Sequence, residues 1–240
     1  MQEVALITVA YINNDAHYNL AKKTYESINQ NITKICVVNH LKNKRYENML
    51  IKNNNVVVYN KENNLAKAWN LGIETAINLK KKYFIICNLD IMFHEKAIGN
   101  LLKFAHENPQ ALFWSGTALN SLVQFNNLDP EFTVGYATNH DQSFSCFLIS
   151  DQTIKKVGKF YEGFGVYYED DDYLRRLKLA KLQPLKTGSS LFYHFVQGTV
   201  KNDPTLIPDY LKKLEVNKQK YIKRWGGVPG QETLEQPNNE

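Results

Sequence analysis

Short apolar runs alternate along the first half of the chain with segments whose apolar residues recur at helical spacing. The runs are rich in Val, Ile, Leu and Tyr and end in polar residues, which is typical of buried strands. The predicted strands cover 4–11, 32–38, 56–59 and 83–89, and the predicted helices cover 18–28, 46–51 and 65–79. Strands that alternate with helices through short connections predict an α/β layered fold, with a mainly parallel central sheet flanked by helices.

The second half of the chain alternates less regularly. Helices are predicted at 95–107, 153–157 and 169–182, and strands at 111–115, 143–149 and 191–195. Residues 116–142 are polar and without a clear period, and we interpret them as a loop region. A basic helix is predicted to begin at Pro208 and to end near Trp225, and the residues after it are interpreted as a loose tail.

Polar residues follow the first four predicted strands, at 11–15, 39–40, 60–67 and 88–92. Ligands of open α/β sheets bind beyond the carboxyl ends of the strands, so we expect these residues to lie together. Asp90 comes directly after one of the apolar strands. A single aspartate in that position can hold Mg²⁺ or Mn²⁺ whose other ligands are substrate phosphates. An ordinary loop start is the alternative interpretation.

His194 lies between aromatic residues in the last predicted strand. A histidine in such a setting is either a satisfied core residue or a ligand, and its position alone does not decide between the two. As a ligand, its nitrogen would favour manganese over magnesium.

Four acidic residues in a row open the helix predicted at 169–182. Two of them have an arginine four residues on, so ordinary surface ion pairs are expected: Asp171 with Arg175, and Asp172 with Arg176. Glu169 and Asp170 have no such local cation and project toward the core. A carboxylate that faces a cleft has a raised pKa and can accept a proton. A charged helix start with no further role is the alternative.

Composition narrows the function classes. The formal charge of +5 is mild and the lysines are scattered, whereas a nucleic-acid-binding protein would present a basic stripe. The three cysteines, Cys36, Cys87 and Cys146, lie in apolar runs and predict buried thiols in a reducing compartment. Without a signal segment or an apolar run of about 20 residues, we expect a cytoplasmic protein. Phosphate loops, dinucleotide-binding glycine motifs and the G-x-S-x-G motif are all missing from the sequence, which disfavours ATPases, nicotinamide-dependent dehydrogenases and hydrolases with that motif.

Four stretches, in this order, resemble inverting GT-A glycosyltransferases, most of all glycosyltransferase family 2, over about residues 4–200. Residues 4–14 resemble the first strand and its nucleotide-contacting end, and residues 64–72 resemble the N-x-G-x-x-x-A-x-N-x-G stretch. The Asn-Leu-Asp sequence at 88–90 lies where the family has its D-x-D motif, and residues 169–176 match the family motif E-D-x-D-x-x-x-R. The Gly-Phe-Gly sequence at 163–165, together with the acidic run, also resembles the related β-1,4-galactosyltransferases.

The resemblance implies roles for particular residues. Asp90 matches the metal-binding acid of D-x-D, and His194 matches the histidine that completes the metal site in some relatives, so Mn²⁺ or Mg²⁺ is the implied cofactor. Asp170 matches the general base that deprotonates the acceptor hydroxyl, with Glu169 as an acceptor contact. The implied nucleotide contacts are Ala10, Tyr11, Asn39, Lys67 and Asn88.

The sequence departs from the family pattern at three places. Asn88 replaces the first acid of D-x-D, which alters a ribose or metal contact. Asn39 stands where relatives usually have an aspartate that reads uracil, so the sequence does not determine which nucleotide base the protein binds. Asn64 takes a usual glycine position.

The implied activity is transfer of a sugar from a nucleotide-diphosphate sugar, with a UDP-sugar expected first, to a hydroxyl of a glycan or glycolipid acceptor. Residues 1–200 are expected to form one catalytic domain, with the nucleotide-sugar in 1–95 and the acceptor in 96–200, followed by the basic helix and tail in 201–240. That helix is expected to dock on the body, and the alternative is contact with the anionic inner face of a membrane. A sugar-1-phosphate nucleotidyltransferase and a non-catalytic nucleotide- or carbohydrate-binding module are the rival functions.

Overall fold

The computed structural model describes residues 2–129, 132, 137–138, 141–196 and 198–238. The strands are β1 Val4–Ile12, β2 Thr33–Leu41, β3 Val56–Tyr59, β4 Tyr83–Cys87, β5 Ile91–Phe93, β6 Phe113–Leu119, β7 Ala137–Thr138, β8 Cys146–Ser150 and β9 Leu185–His194. The α-helices are α1 Asp15–Glu26, α2 Glu47–Asn53, α3 Leu65–Asn78, α4 Ala97–Glu107, α5 Leu122–Asn126, α6 Asp151–Val157, α7 Glu169–Leu179, α8 Gly198–Lys201 and α9 Ile207–Trp225. The predicted α/β layered fold is confirmed.

The sheet has the strand order β3-β2-β1-β4-β8-β6-β9-β5, with β7 paired to β9. The first four strands of this order are parallel, as the strand–helix alternation predicts. Beyond β4 the sheet becomes mixed, because β8 runs antiparallel to both β4 and β6 while β9 runs parallel to β6. The parallel part brings the carboxyl ends of β1, β2 and β4 to one edge.

Both faces of the sheet are covered, and successive residues of β1 contribute to different cores. Leu6 packs in the core with residues of α1 and α4, whereas Ile7 packs with Trp69 of α3 and Tyr173 of α7. A strand buried on both faces has no alternation of apolar and polar residues, which is why β1 is apolar apart from the buried Thr8.

Gly72 allows α3 to approach β1 closely. A Cβ placed on Gly72 would overlap Cγ2 of Ile7, and it would lie 3.3 Å from Cγ2 of Val37. The glycine in the stretch at 64–72 is therefore required by packing between the helix and the sheet.

Strand β9 is longer than the sequence predicts. A strand was expected at 191–195, but β9 begins at Leu185, and its first half is the polar sequence Leu-Lys-Thr-Gly-Ser-Ser. Thr187 and Ser190 are nevertheless buried, and Thr117 of β6 donates a side-chain hydrogen bond to the Thr187 carbonyl at 3.0 Å. Part of the expected 116–142 loop is also ordered, since β6 continues to Leu119 and α5 follows, while residues 130–131, 133–136 and 139–140 lie outside the described residues.

The C-terminal helix docks on the body of the protein. Tyr221 and Trp225 of α9 are fully buried and form a separate small core with Phe164. Within the described residues, none of the helices combines the length and the apolar character needed to cross a membrane.

Candidate functional site

A cleft of about 420 Å³ opens at the carboxyl edge of the parallel strands. Tyr11 from the end of β1, Asn39 from β2 and the Asn88–Asp90 turn after β4 line one side. The opposite side comes from the loop before α7, from the end of β9 and from α9. The lining thus joins segments that are far apart in sequence at the edge where open α/β sheets bind ligands.

Asp90 and His194 face each other in this cleft. The His194 Nε2 atom lies 3.4 Å from Oδ1 of Asp90, and Ser145 Oγ lies 3.2 Å from the other ring nitrogen. Oδ1 of Asp90 is buried and has no hydrogen-bond partner among the described residues. A buried carboxylate oxygen without a partner is costly, so this atom is expected to have one when a ligand is bound.

The protein alone supplies few metal ligands here. Among the residues that the structure describes, no group of three or more His, Cys, Asp or Glu side chains could hold an ion. Asp90 and His194 are therefore two residues that could bind a cation together, with the remaining ligands coming from elsewhere.

Asn39 is held by a network of amides at the end of β2. Its Nδ2 donates to Oδ1 of Asn63 at 2.8 Å, while its Oδ1 accepts from Asn60 Nδ2 at 2.8 Å and from the Asn64 backbone N–H at 3.3 Å. The backbone donor fixes which amide atom is the oxygen, because an N–H can only donate. Asn64 in turn caps α3 by accepting from the Lys67 N–H at 2.9 Å.

The acidic start of α7 lies beside the cleft. Glu169 is 5% exposed, and its Oε2 has no hydrogen-bond partner among the described residues. Burial, and then the charge of Asp170, raises the pKa of Glu169 from 4.5 to about 8. Burial also raises the pKa of Asp170, whose Oδ1 accepts from the Asp171 N–H at 2.9 Å. Glu169 faces inward as predicted, whereas Asp170 is only partly buried.

The loop that leads into α7 has a strained backbone. Tyr167 and Tyr168 have φ of 73° and 74°, in the left-handed region that non-glycine residues rarely adopt. Asn217 of α9, which is buried, donates its side-chain amide to the carbonyls of Phe164, Val166 and Tyr167 at 2.8, 2.6 and 3.2 Å. The C-terminal helix thus fixes the loop that places Tyr167 in the cleft.

The expected surface pairs of α7 are not found as predicted. Asp172 does pair with Arg176 at 2.8 Å, but it is fully buried, because α9 covers this side of α7. The expected pair of Asp171 and Arg175 is not seen among the described residues, where Arg175 lies 3.9 Å from Glu232 and donates to the Leu234 carbonyl. Helical spacing shows which residues are neighbours, but it carries no information about what another segment places on top of them.

The structure brings together five of the nine residues that the sequence singles out. Tyr11, Asn39, Asn88, Asp90 and His194 all line the cleft. The other four do not line it. Ala10 is fully buried in the core, and the Lys67 Nζ atom lies 2.9 Å from Oε1 of Glu62. Glu169 and Asp170 begin α7, shortly after the lining residue Tyr167.

Sequence reasoning missed the contribution of the C-terminal segment to the cleft. Tyr210 and Lys213 of α9 line it, and Tyr210 packs edge-on against Tyr167 with ring centroids 5.0 Å apart. Their spacing of three residues places them on one helical face, but nothing local indicates what that face contacts.

The fold has counterparts among solved structures. TarS 1-349 from S. aureus is 9% identical, with a TM-score of 0.58, over 80% of this chain and 60% of that one. The same fragment in complex with UDP gives 10% identity and a TM-score of 0.54. Mannosyltransferase PcManGT from Pyrobaculum calidifontis, in complex with GDP-Man and Mn²⁺, is 14% identical with a TM-score of 0.58, over 86% of this chain and 67% of that one.

This chain therefore spans about 60% of the length of the TarS fragment. No family model matches the sequence, and no curated protein matches it. At such low identities the structural likeness establishes the architecture. The chain has a GT-A-like α/β fold.

Proposed function

We propose that the protein is an inverting glycosyltransferase that moves a sugar from a nucleotide-diphosphate sugar to a hydroxyl of a glycan or glycolipid acceptor. The observation that carries the proposal is the pair of Asp90 and His194, in a cleft at the carboxyl edge of a GT-A-like sheet, where the buried Oδ1 of Asp90 accepts no hydrogen bond from the described residues. We place the donor against residues 1–95 and the acceptor against residues 96–200, as the resemblance implies.

The donor class is supported by the solved structures with the same fold. One of them contains UDP, and the mannosyltransferase contains GDP-Man and Mn²⁺. A nucleotide-sugar and a divalent cation are the ligands we propose here. A UDP-sugar stays the first expectation. Because Asn39 replaces the aspartate that usually reads uracil, GDP, CDP and dTDP are tested beside UDP.

A divalent cation fits the residues present. Two ligands of one octahedral ion with bonds of about 2.1 Å lie about 3 Å apart, close to the observed separation of the Asp90 and His194 atoms. The ion would also interact with Oδ1 of Asp90, which accepts no hydrogen bond within the part of the chain that the structure describes. Asp90 and His194 would hold the ion, and the other ligands would be donor phosphates. When bound, the ion supplies positive charge against the departing diphosphate.

The acids at the start of α7 would handle the proton. Asp170 takes the proton of the acceptor hydroxyl as the oxygen bonds to the anomeric carbon, while the bond from that carbon to the diphosphate breaks on the opposite face. Glu169, whose pKa is about 8, is mostly protonated at pH 7 and can donate a hydrogen bond to the acceptor. Tyr11, Asn39 and Asn88 would contact the nucleotide.

Thermal unfolding tests the donor and the cation together. The protein is heated with UDP, GDP, CDP or dTDP, each with and without Mn²⁺. A ligand at about 100 times its Kd stabilises by about 2.7 kcal/mol. For a chain of this size that raises the midpoint by about 5 to 10 °C. We expect one nucleotide to give a shift that depends on Mn²⁺.

Asp90→Asn provides the matched control, because it keeps the shape of the side chain and removes the charge. It should abolish the Mn²⁺-dependent part of the shift. If none of the four nucleotides raises the unfolding midpoint of the wild-type protein, the proposal is contradicted. Nucleotide binding without hydrolysis or transfer of any donor sugar would favour the binding module instead.

We also propose a peripheral membrane contact on the outer side of α9 for a glycolipid acceptor. Ile207 and Leu211 are exposed one turn apart, and Lys218 follows on the same stripe. Anionic vesicles should pellet the protein at low salt, and Leu211→Glu should reduce the pelleted fraction. Equal pelleting of both proteins would contradict this contact.

A further inference from the structure

Residues 198–213, which we call the closing segment, lie across the carboxyl edge of the sheet. Gly198 packs against Asp90, because a Cβ at Gly198 would lie 3.0 Å from the Asp90 Oδ2 atom. Asn14 donates to the Asn202 carbonyl at 3.0 Å, and Asn13 donates to the carboxylate of Asp203. The segment is therefore tied to the ends of β1 and β4, two neighbouring strands whose ends line the cleft.

The closing segment brings a cation into the cleft. Lys213 is the only lysine or arginine among the described residues that line it. Its Nζ lies 2.7 Å from Oδ2 of Asp209, which lines the cleft as well, and the two side chains are 38% and 59% exposed. An exposed pair of this kind contributes little to stability, so the pair can be opened at small cost.

The remaining charge of the cleft is negative. Asp90 and Asp209 both line it, Glu169 is buried nearby, and Asp170 next to it is partly buried. A diphosphate entering such a cleft needs cationic partners, and lysine is a common phosphate ligand. Lys213 has the position for this contact, whereas the predicted nucleotide contact Lys67 is paired with Glu62 outside the lining.

We propose that Lys213 binds the diphosphate group of the donor, and that Asp209 holds its ammonium group until the nucleotide enters. This inference rests on the proposed function and names one of its binding residues. Phosphate and Asp209 compete for the same ammonium group. The two residues should therefore have opposite effects on diphosphate binding, which a loss of folding could not produce.

Isothermal titration with two probes, inorganic pyrophosphate and UDP, tests the inference in the full chain with excess Mg²⁺. Lys213→Ala should weaken binding of both probes by about 10- to 100-fold, the loss expected for one hydrogen bond between charged groups. Lys213→Arg should retain most of the affinity, since a guanidinium also binds phosphate. Asp209→Asn should tighten binding several-fold. Lys212→Ala, the exposed neighbour outside the cleft, is the matched control and should bind as the wild type does.

The outcomes separate the two proposals. If the wild-type protein binds the probes and Lys213→Ala binds them equally well, this inference is wrong and the proposed function stands. If Lys213→Ala and Asp209→Asn weaken binding alike, the pair has a structural role and the inference is again wrong. If the wild type binds neither pyrophosphate nor any of the four nucleotides, the proposed function fails together with the inference.

Discussion

The Nε atom of Arg224 donates a hydrogen bond to Oδ1 of Asp172 at 2.8 Å, although 52 positions separate the two residues. The same carboxylate accepts from Nε of Arg176 at 2.8 Å and from the Trp225 indole N–H at 3.0 Å. Asp172 is fully buried, so its charge is balanced entirely by these neighbours. The helix with the acidic residues is thereby joined to the C-terminal helix.

Asp172→Asn should destabilise the protein strongly. Removing one partner of a buried ion pair leaves the other charge uncompensated, which costs about 3–5 kcal/mol. Urea unfolding followed by circular dichroism measures the change in the free energy of unfolding. Glu107→Gln is the matched control, because Glu107 forms an exposed i,i+4 pair with Lys103 at 3.9 Å. It should cost less than about 1 kcal/mol, and equal losses in the two variants would contradict the role of Asp172.

Asp170→Asn should abolish sugar transfer while the affinity for the nucleotide stays unchanged. A general base contributes about 10²–10⁴-fold to the rate, and an amide cannot accept the proton. Transfer is measured with the donor identified by thermal unfolding, and binding by titration. Asp171→Asn, which changes the next carboxylate in the helix, should retain transfer. Near wild-type transfer by Asp170→Asn would show that another residue is the base, with Glu169 the next to test.

Glu169→Gln should alter the pH dependence of stability. Because the folded-state pKa of about 8 exceeds the ordinary 4.5, the folded protein binds this proton more tightly than the unfolded chain does. The wild type therefore loses stability as pH rises from about 4.5 to 8, and a glutamine avoids that loss. The midpoint of thermal unfolding of the variant, relative to wild type, should be higher at pH 9 than at pH 5.

The exposed Glu235 provides the control for this experiment. Glu235→Gln should give the same midpoint relative to wild type at both pH values, since its side chain is not buried. If the unfolding midpoints of Glu169→Gln and the wild type differ by the same amount at pH 5 and pH 9, burial does not raise the pKa of Glu169 in solution.

Alanine in place of two helical glycines should have opposite effects. Gly72→Ala should destabilise by about 1–3 kcal/mol, because the methyl group overlaps a branched side chain of β1. A Cβ on Gly99 of α4 would meet no atom of the described residues within 4 Å, so Gly99→Ala should stabilise by about 0.5–1 kcal/mol through helix propensity. Urea midpoints measure both variants. A stabilising Gly72→Ala would show that α3 can move away from the sheet.

Local periodicity was sufficient for the parallel half of the sheet. The strands around Leu6, Ile35 and Ile85 are apolar on both faces and end in polar residues, so both their existence and the binding edge could be predicted. The position of the turn with Asp90 could be predicted for the same reason, because the turn directly follows the end of a predicted strand.

Other features depend on contacts between distant segments, which a local pattern does not contain. The polar first half of β9 becomes a strand because β6 pairs with it, and Thr187 is buried only as a result. The i,i+4 spacing of Asp172 and Arg176 predicts a surface ion pair, but α9 covers Asp172 in the structure. Lys213 reaches the cleft and Asn217 reaches the loop before α7 because the chain returns to this edge after residue 200, and no residue near them in sequence indicates that return.

The amide of Asn217 and the pairing of Asp172 with Arg224 also set an order of events during synthesis. Until the chain has emerged from the ribosome as far as Trp225, the loop with Tyr167 lacks its three amide contacts and Asp172 lacks two of its donors. The sheet can form from residues that emerge earlier. The acids beside the cleft therefore reach their final arrangement late, so a nascent chain folds before it has a complete site.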